Sequence, residues 1–323
     1  QYTWRYQMSV KIYEAKAQGT FEEWGERAGS LIDSSEIDHI IDYDCDAYDS
    51  DGKPLFMFRK NVIPKALCKQ AYGILRHAAT PTNNRGNAAG EFSVGEDKAL
   101  DSYSGIVGTG KKQKRFQTIT KAGYVSKTLR AKTVNSGIIG YFDRSMRFPY
   151  CRQTAWTQNN FEQFRGAYPY IKHISDQFRE ACPDRWAAQN EIAQKTNPDF
   201  LIGETVFTTV TVNKNFRTAI HTDAGDFKGG FGNIAVLQAG KFEGGYTCLP
   251  RYRVGFDVRN TDICFFNVHE WHGNLEVKAK QPYERISIVS YYRENMFRCG
   301  NAEKELEIVK SRKSLSGLND GIA

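Results

Sequence analysis

The sequence lacks the cysteine and histidine patterns of the common zinc sites. Its seven cysteines are odd in number and scattered, and no two form a CxxC pair, so neither structural zinc nor a disulfide framework is indicated. It also lacks HExxH, the helical motif of many zinc hydrolases. Several cysteines lie in apolar runs such as TCLP and DICFF, where a reduced cysteine serves as a small core residue. We therefore expect a reducing, intracellular compartment.

Long apolar runs are missing as well. No run approaches the roughly 18 residues that a membrane-spanning helix needs, and no charged-then-apolar signal segment follows Gln1, so we expect no membrane association. The hydrophobic content of 40% and the aromatic content of 13% are sufficient for a buried core and exclude wholesale disorder. The formal net charge of +7, with an isoelectric point near 8.9, is compatible with a polyanionic partner.

The order of the predicted elements favours an α+β fold. From Gly203 onward, short strand-like runs alternate with Gly, Asn, Asp and Pro turns, which is typical of a sandwich or jelly roll. Two helices are predicted at about 161–194, broken by Pro169 and Pro183. We expect a single domain over 1–323, made of an N-terminal cover (1–135), a jelly-roll core with helices packed on one side (136–300), and a C-terminal helix and tail (301–323).

Within the N-terminal cover, the patterns predict a strand in MSVKIYEAKA, a short helix opened by Thr20, and an amphipathic helix in PKALCKQAYGILRHAA. The acid-rich run DYDCDAYDSDGK lacks the glutamate that an EF-hand loop requires. We interpret it as a hairpin turn between IIDYD and PLFMFRK, formed at Asp51–Gly52.

The run from Lys111 to Lys132 contains eight Lys or Arg residues and no acid, with Phe116 and Tyr124 among the charges. A charge run of this kind is often a solvated loop. It also suits an edge that contacts nucleic-acid phosphates, because cations neutralise the backbone and aromatic rings stack on bases. The charge pattern alone supports both interpretations.

A candidate metal site lies in the stretch from Asn213 to Arg293. His221 and Asp223 end the strand-like run TAIHTDA and lie two residues apart, so on a strand they point to the same face. VHEWHGN offers a second histidine, either His269 or His272, which face opposite sides of an extended segment. Two histidines and one carboxylate leave three adjacent positions open on ferrous iron, as oxygen chemistry requires.

Arg285 begins the strand-like run RISIVSYYR, thirteen residues beyond His272. Its guanidinium group would bind the far carboxylate of a keto acid through two hydrogen bonds. The alternative is that the histidines are buried structural groups and that Arg285 pairs with Glu284 or Glu294.

Five blocks between about residues 136 and 296 carry a more specific pattern: GYFDRSMRFPYCRQTAWT, NFRTAIHTDAGDFKGGFGN, FEGGYTCLPRYRVGFDVR, VHEWHGN and RISIVSYYR. Together they resemble the TET/JBP family of iron-dependent nucleic-acid base oxygenases. The resemblance implies a double-stranded β-helix that holds Fe(II) through His221, Asp223 and His272. It also implies that Arg285 and Ser287 contact the carboxylate of the acid co-substrate.

The resemblance assigns the base-contacting positions too. Tyr291 corresponds to an aromatic residue that stacks on a flipped base, Arg293 to a polar residue that touches it, and Asp226 to a base-contacting residue that is Asn in animal TET proteins. The basic residues expected to contact phosphates are Arg85, Lys111, Lys112, Lys114 and Arg115.

The implied function is that of an Fe(II)-dependent dioxygenase that modifies the 5-methyl group of 5-methylcytosine in nuclear DNA. It would use O2 and either 2-oxoglutarate as co-substrate or ascorbate (vitamin C) as glyceryl donor, as in the algal TET homologue. The alternatives are a thymine hydroxylase of JBP type and a catalytically inactive DNA-binding barrel. An ionised Asp226 only accepts hydrogen bonds, which favours the amino group of cytosine, whereas a protonated Asp226 reverses this argument.

Overall fold

Two facing β-sheets form the framework of the protein. The structure is a computed structural model that describes residues 10–90, 102–110, 113–119, 125–130 and 132–319. In chain order the strands are β1 (Lys11–Ala15), β2 (His39–Ile41), β3 (Cys45–Asp49), β4 (Pro54–Arg59), β5 (Thr80–Thr82), β6 (Ser102–Gly110), β7 (Gln113–Ile119), β8 (Val125–Arg130), β9 (Val134–Phe142), β10 (Arg152–Gln153), β11 (Thr209–Lys214), β12 (Gly232–Ala239), β13 (Glu243–Gly244), β14 (Thr247–Leu249), β15 (Val254–Phe256), β16 (Ile263–Phe266), β17 (Gly273–Asn274), β18 (Val277–Lys278) and β19 (Glu284–Tyr291).

The α-helices are α1 (Phe21–Gly25), α2 (Lys65–Leu75), α3 (Ala155–Asn159), α4 (Phe161–Gly166), α5 (Tyr168–Ala181), α6 (Pro183–Gln194) and α7 (Ala302–Asn319). Five 3-10 turns accompany them: Ser34–Glu36, Gly86–Ala89, Pro198–Phe200, Pro250–Tyr252 and Met296–Arg298. Within the described residues, no helix is both long enough and apolar enough to cross a membrane.

The larger sheet has the strand order β1-β3-β4-β16-β12-β19-β11-β9-β10, and β5 pairs with β9. The smaller sheet has the order β17-β14-β15-β2. Strands that are remote in sequence lie side by side, so that β19 runs antiparallel between β11 and β12 with Ser287 opposite both Asn213 and Val236. Two sheets joined in this way form a jelly roll, with β19 near the centre of the larger sheet.

The side chains of β19 alternate between two environments, as the period of a strand requires. Ile286 and Ile288 are fully buried in an apolar layer, while Ser287 and Tyr291 line a cavity on the opposite face. The apolar layer is completed by helical side chains, including Leu75 of α2, Phe164 of α4, and Ile171 and Phe178 of α5. All these helices therefore cover one face of the larger sheet, which confirms the predicted α+β jelly roll with helices on one side.

The N-terminal cover contributes to both sheets. Its strands β1, β3 and β4 extend the larger sheet, and β2 pairs in parallel with β15 of the smaller one. Thr20 opens α1 as predicted, through a reciprocal capping box with Glu23. Phe21 packs on Trp271 with ring centroids 5.1 Å apart, and the indole Nε1 of Trp271 donates to the carbonyl of Phe21 at 2.7 Å. Helix α1 is thus held against Trp271, which lines the cavity described below. The predicted domain boundaries stay a prediction.

Two local predictions are wrong in detail. The strand that forms the hairpin with β4 is β3, whereas Ile40 and Ile41 of IIDYD belong to β2. The carboxylate of Asp49 fixes the hairpin turn, because its Oδ1 accepts from the backbone N–H groups of Asp51 and Lys53. Residues 161–194 form three helices rather than two, since a separate short α4 precedes α5.

Cys151 and Cys299 form a disulfide, although the sequence pattern indicated none. The two residues are 148 positions apart and their Cα atoms are 5.8 Å apart, so only the fold brings them together. The bond joins the segment after β9 to the segment before α7. The remaining cysteines are free and buried, Cys248 and Cys264 among them, as predicted for small core residues.

Gly137 on β9 is required by close packing against the backbone. A Cβ at this position would lie 1.9 Å from the carbonyl oxygen of Ala78. We expect Gly137→Ala to lower the free energy of unfolding by about 1–3 kcal/mol, because the backbone must shift. The matched control is Gly73→Ala on the exposed face of α2, where nothing lies within 4 Å and where a gain of about 0.5–1 kcal/mol is expected. Urea unfolding measures both, and equal stability of the two variants would contradict the packing of β9 against Ala78.

Candidate metal centre and substrate cavity

A cavity of about 610 Å³ opens between the two sheets, on the face of β19 that points away from the helices. The larger sheet lines it with Ile138, Thr211, Ser287 and Tyr291, and the smaller sheet with Thr247 and Asn274. The remaining wall is formed by residues 84–88 and by the loop 221–226. A half-polar cavity of this size, inside a rigid scaffold, is the expected place for a substrate.

His221, Asp223 and His272 meet at this cavity. Among the described residues they are the only cluster of His, Cys, Asp and Glu that could hold a metal ion, and one donor atom from each lies within 4.8 Å of the others. The predicted strand TAIHTDA is absent, because His221 makes only an isolated bridge with His272. Each of the two N–H groups donates to the other's carbonyl, at 2.9 and 3.0 Å. Asp223 is fixed separately, through its N–H to the carbonyl of Val268 at 2.9 Å.

Backbone carbonyls orient both imidazole rings. Nδ1 of His221 lies 2.7 Å from the carbonyl of Ala219, and Nδ1 of His272 lies 2.8 Å from that of Glu270. A proton on each Nδ1 leaves the Nε2 lone pairs free, and these point to the Asp223 carboxylate at 3.7 and 3.6 Å. Metal-binding histidines are commonly oriented in this way.

The protonation states also suit a metal. Burial, reinforced by His272, lowers the pKa of His221 to about 4, so its imidazole is neutral at pH 7. Desolvation opposes ionisation of Asp223, but the hydrogen bond and charge of His272 and the charge of His221 prevail and lower its pKa to about 2. A neutral His221, an ionised Asp223 and the second imidazole of His272 form a two-histidine, one-carboxylate set that fits ferrous iron.

A buried ion pair that the sequence pattern did not reveal supports His272. Arg251 donates to both carboxylate oxygens of Glu270, at 3.0 and 2.9 Å. Glu270 also accepts from the N–H of Trp271, which lines the cavity, and its own carbonyl holds the ring of His272. The signal available in the sequence was the acid inside VHEWHGN. His269, the other candidate, lies outside the cluster, and its buried Nε2 has no hydrogen-bond partner within the described part of the chain.

Arg285 is buried on the same face of β19 as Ser287, but only Ser287 lines the cavity directly. The predicted alternative, a pair with Glu284 or Glu294, is wrong, because the Glu284 carboxylate is held by Arg76 and Lys214 and no ion pair between Arg285 and Glu294 is found in the described part of the chain. Where the structure describes side chains, no ion pair involves Arg285.

The surroundings of Arg285 are shaped for its long side chain. A Cβ on Gly245, which has φ +70°, would lie 3.1 Å from the Cδ and Nε atoms of Arg285. Burial and the charge of Arg259 lower the pKa of Arg285 to about 10, although Asp257 opposes the shift. The group therefore stays cationic at pH 7, and a buried cation without a paired carboxylate is suited to the anionic end of a ligand.

Asp226, Tyr291 and Arg293 lie together at another part of the cavity. Asp226 and Arg293 form an isolated backbone bridge, and Nε of Arg293 donates to Asp143 at 2.8 Å, a partner that the sequence pattern did not predict. Burial raises the pKa of Asp226 well above its usual range, and the Asp223 carboxylate raises it further, against the charge of Arg293. The raised pKa favours the protonated form of Asp226, which has both a donor and an acceptor.

The predicted phosphate-contacting residues are only partly described. Arg85 lines the cavity, and its buried Nε has no partner within the described residues. Lys111 and Lys112 lie outside the described residues. Lys114 and Arg115 are on β7, whose backbone lies against the Gly86–Ala89 turn at the cavity wall.

Comparison with known proteins identifies the family. Residues 137–294 match the Tet_JBP family, described as the oxygenase domain of the 2OGFeDO superfamily. Thymine dioxygenase JBP1 of Trypanosoma brucei brucei is 41% identical over 165 residues, which are 49% of this chain and 19% of that protein. The bifunctional helicase and thymine dioxygenase JBP2 of the same organism is 36% identical over 183 residues, which are 55% of this chain and 16% of that protein.

The chain spans less than a fifth of the length of these relatives. Among solved structures, NgTET1 in complex with 5mC DNA aligns with a TM-score of 0.53 at 14% identity, covering 94% of this chain and 91% of that one, a likeness of fold. The matched segment contains the candidate metal cluster, Arg285, and the cavity residues Asp226, Tyr291 and Arg293. Residues 137–294 of the chain therefore form an oxygenase domain of the TET/JBP family, in the 2OGFeDO superfamily.

Proposed function

We propose that the protein oxidises the 5-methyl group of a pyrimidine base in DNA, with Fe(II), O2 and 2-oxoglutarate. The observation that carries the proposal is the convergence of His221, Asp223 and His272 in one cavity with Asp226 and Tyr291. A base inside a duplex does not reach this depth, so the nucleotide must be flipped out of the stack.

Ferrous iron, when bound by the three ligands, supplies activation of O2 coupled to oxidative decarboxylation of the acid. Arg285 holds the far carboxylate of that acid through paired hydrogen bonds, and Ser287 offers a hydroxyl on the same strand face. This arrangement favours 2-oxoglutarate, because closed-ring ascorbate has no carboxylate to match the buried guanidinium group. Ascorbate as glyceryl donor is the second candidate, on the resemblance to the algal homologue alone.

The base-side residues have distinct proposed roles. The ring of Tyr291 stacks on the flipped base, and Arg293, held by Asp143, donates to a carbonyl oxygen or a ring nitrogen of that base. Asp226 contacts the exocyclic group at C4. Arg85 and the basic strand β7 flank the cavity wall, where they would contact the phosphates of the same strand.

Protonation of Asp226 removes the preference for cytosine that an ionised carboxylate would give, but it leaves an acceptor oxygen for the amino group, and 5-methylcytosine stays the first candidate base. Thymine is the second candidate, favoured by two observations. The raised pKa of Asp226 provides an O–H donor for O4 of thymine, and the relatives that match this chain are named thymine dioxygenases. A DNA substrate implies a compartment that contains DNA, for which we propose the nucleus.

The test is mass spectrometry of digested DNA after incubation with the protein and Fe(II). Three duplexes are compared: one contains 5-methylcytosine, one contains thymine with unmethylated cytosine, and one contains uracil with unmethylated cytosine. Each is incubated with 2-oxoglutarate and with ascorbate separately. A hydroxymethyl product that requires 2-oxoglutarate supports the proposal. A glyceryl product with ascorbate alone replaces the co-substrate, and no new base with either acid overturns the proposal.

Removal of a metal ligand should abolish turnover. We expect His221→Ala, Asp223→Ala and His272→Ala to lose Fe(II) binding and at least about 100-fold of the activity, because two ligands do not hold the ion in place. The matched control is His269→Ala, which removes a neighbouring histidine outside the cluster and should keep both properties. Metal content by mass spectrometry and the DNA product assay check this, and loss of iron in the control alone would reverse the assignment of the ligand.

Asp226→Asn should weaken discrimination between the bases. An amide has an acceptor for cytosine and a permanent donor for thymine, so at a pH above the pKa of Asp226 the ratio of kcat/KM for 5-methylcytosine over thymine should be about fivefold or more lower in the variant. In the unchanged protein, thymine turnover should fall as the pH rises through the pKa of Asp226, because ionisation removes the O–H donor. The Asn variant should lack that pH dependence. An unchanged ratio together with an unchanged pH profile would show that Asp226 does not contact the base.

A further inference from the structure

A row of alternating arginine and phenylalanine side chains leads away from the cavity. The guanidinium carbon of Arg293 lies 5.2 Å from the ring centroid of Phe142, and that of Arg152 lies 4.9 Å from the same centroid. Arg152 also lies 4.2 Å from the ring of Phe148, over which Arg147 is placed at 5.2 Å. We call this row, Arg293–Phe142–Arg152–Phe148–Arg147, the arginine–phenylalanine ladder. It runs from a cavity wall to the exposed tip of the loop between β9 and β10.

The charges of the ladder are distributed unevenly. Arg293, at the cavity, is neutralised by Asp143 at 2.8 Å. Arg144, the residue after Asp143, pairs with the buried Glu305. Neither Arg147 nor Arg152 takes part in an ion pair with any described residue. The outer part of the ladder is therefore a pair of arginines that keep their positive charge available to an anion.

The loop that carries these arginines is held in place from several directions. Strand β10 pairs with β9, which places the backbone of Arg152 opposite Phe142. Cys151 is tied to Cys299 by the disulfide. The carboxylate of Glu305 accepts from the N–H of Cys151 at 2.7 Å. A guanidinium group stacked on a ring keeps its N–H edge open and loses little freedom on binding. Such anchoring would be unnecessary for two solvated surface charges, but it suits a preformed anion site.

We propose that the outer rungs of the ladder, Arg147 and Arg152, bind consecutive phosphates of the DNA strand whose flipped base occupies the cavity. The inference rests on the proposed function for the identity of the polyanion. Arg152 and Arg293 each lie about 5 Å from one centroid, so they are at most about 10 Å apart. That upper limit equals about three nucleotides at the rise of about 3.4 Å per nucleotide along the axis of a duplex. The ladder thus guides the strand outward from the base that is read at Arg293.

The experiment measures the affinity of the full chain for a duplex containing 5-methylcytosine, by fluorescence anisotropy between 0.05 and 0.3 M salt. Each of Arg147→Gln and Arg152→Gln should lower the slope of log affinity against log salt by about 0.9, because one phosphate contact is lost. At 0.1 M salt this amounts to about an eightfold weaker affinity for each variant. Arg152→Lys, which keeps the charge, should restore the slope.

The matched control is Arg179→Gln. Arg179 is an exposed arginine on α5 that stacks on Trp186 at 5.0 Å, so the substitution changes the net charge equally without touching the ladder. Its slope should stay within about 0.3 of the unchanged protein. Thermal melting checks that each variant is folded. If a Gln variant is not folded, the Arg152→Lys variant keeps the test decisive.

The outcomes separate the ladder from the proposed function. If the salt slopes of the Arg147 and Arg152 variants equal that of the Arg179 control, the proposed phosphate contacts of the ladder are overturned, even if the protein oxidises DNA. Reduced slopes in a protein that oxidises no base retain the ladder as a polynucleotide site and overturn the oxygenase substrate. No DNA binding by the unchanged protein overturns both.

Discussion

The backbone bridge between His221 and His272 is the constraint on which the site depends. Two reciprocal hydrogen bonds join a loop of irregular backbone to the edge of the smaller sheet. They place the ring centroids of the two imidazoles 4.2 Å apart. The same loop continues through Asp223 to Asp226, so one short segment provides both a candidate metal ligand and a residue proposed to contact the base. Fixed ligands and a fixed substrate wall are the preorganisation that catalysis in a cavity requires.

Much of this arrangement follows from periodicity in the sequence. The alternation in RISIVSYY places Ile286 and Ile288 against the helices, so Arg285, Ser287 and Tyr291 must share the opposite face. The amphipathic pattern of PKALCKQAYGILRHAA likewise predicts which side of α2 is buried. Residues near one another in sequence, with a period of two or 3.6, were therefore predictable.

What was missed depends on contacts between remote segments. The pairs Cys151–Cys299 and Arg293–Asp143 span about 150 residues, and neither has a local signature. The strand predicted for TAIHTDA is an isolated bridge instead, because His221 pairs with His272 alone and the chain then turns into the cavity wall. The backbone of a short polar segment at a site is set by the contacts of its side chains rather than by the period of a strand. Secondary-structure propensity therefore does not predict its conformation.

Anaerobic titration with Fe(II) followed by 2-oxoglutarate tests the central claim most directly, since it requires both the three-residue metal site and the buried Arg285 cation. We expect one Fe(II) per chain, and a visible charge-transfer absorption that develops when 2-oxoglutarate chelates the ion. Arg285→Gln should bind the same amount of iron but need at least about tenfold more 2-oxoglutarate, because the charge-assisted pair is lost. A chain that binds no Fe(II), or an Arg285 variant with unchanged affinity for the acid, would contradict the account.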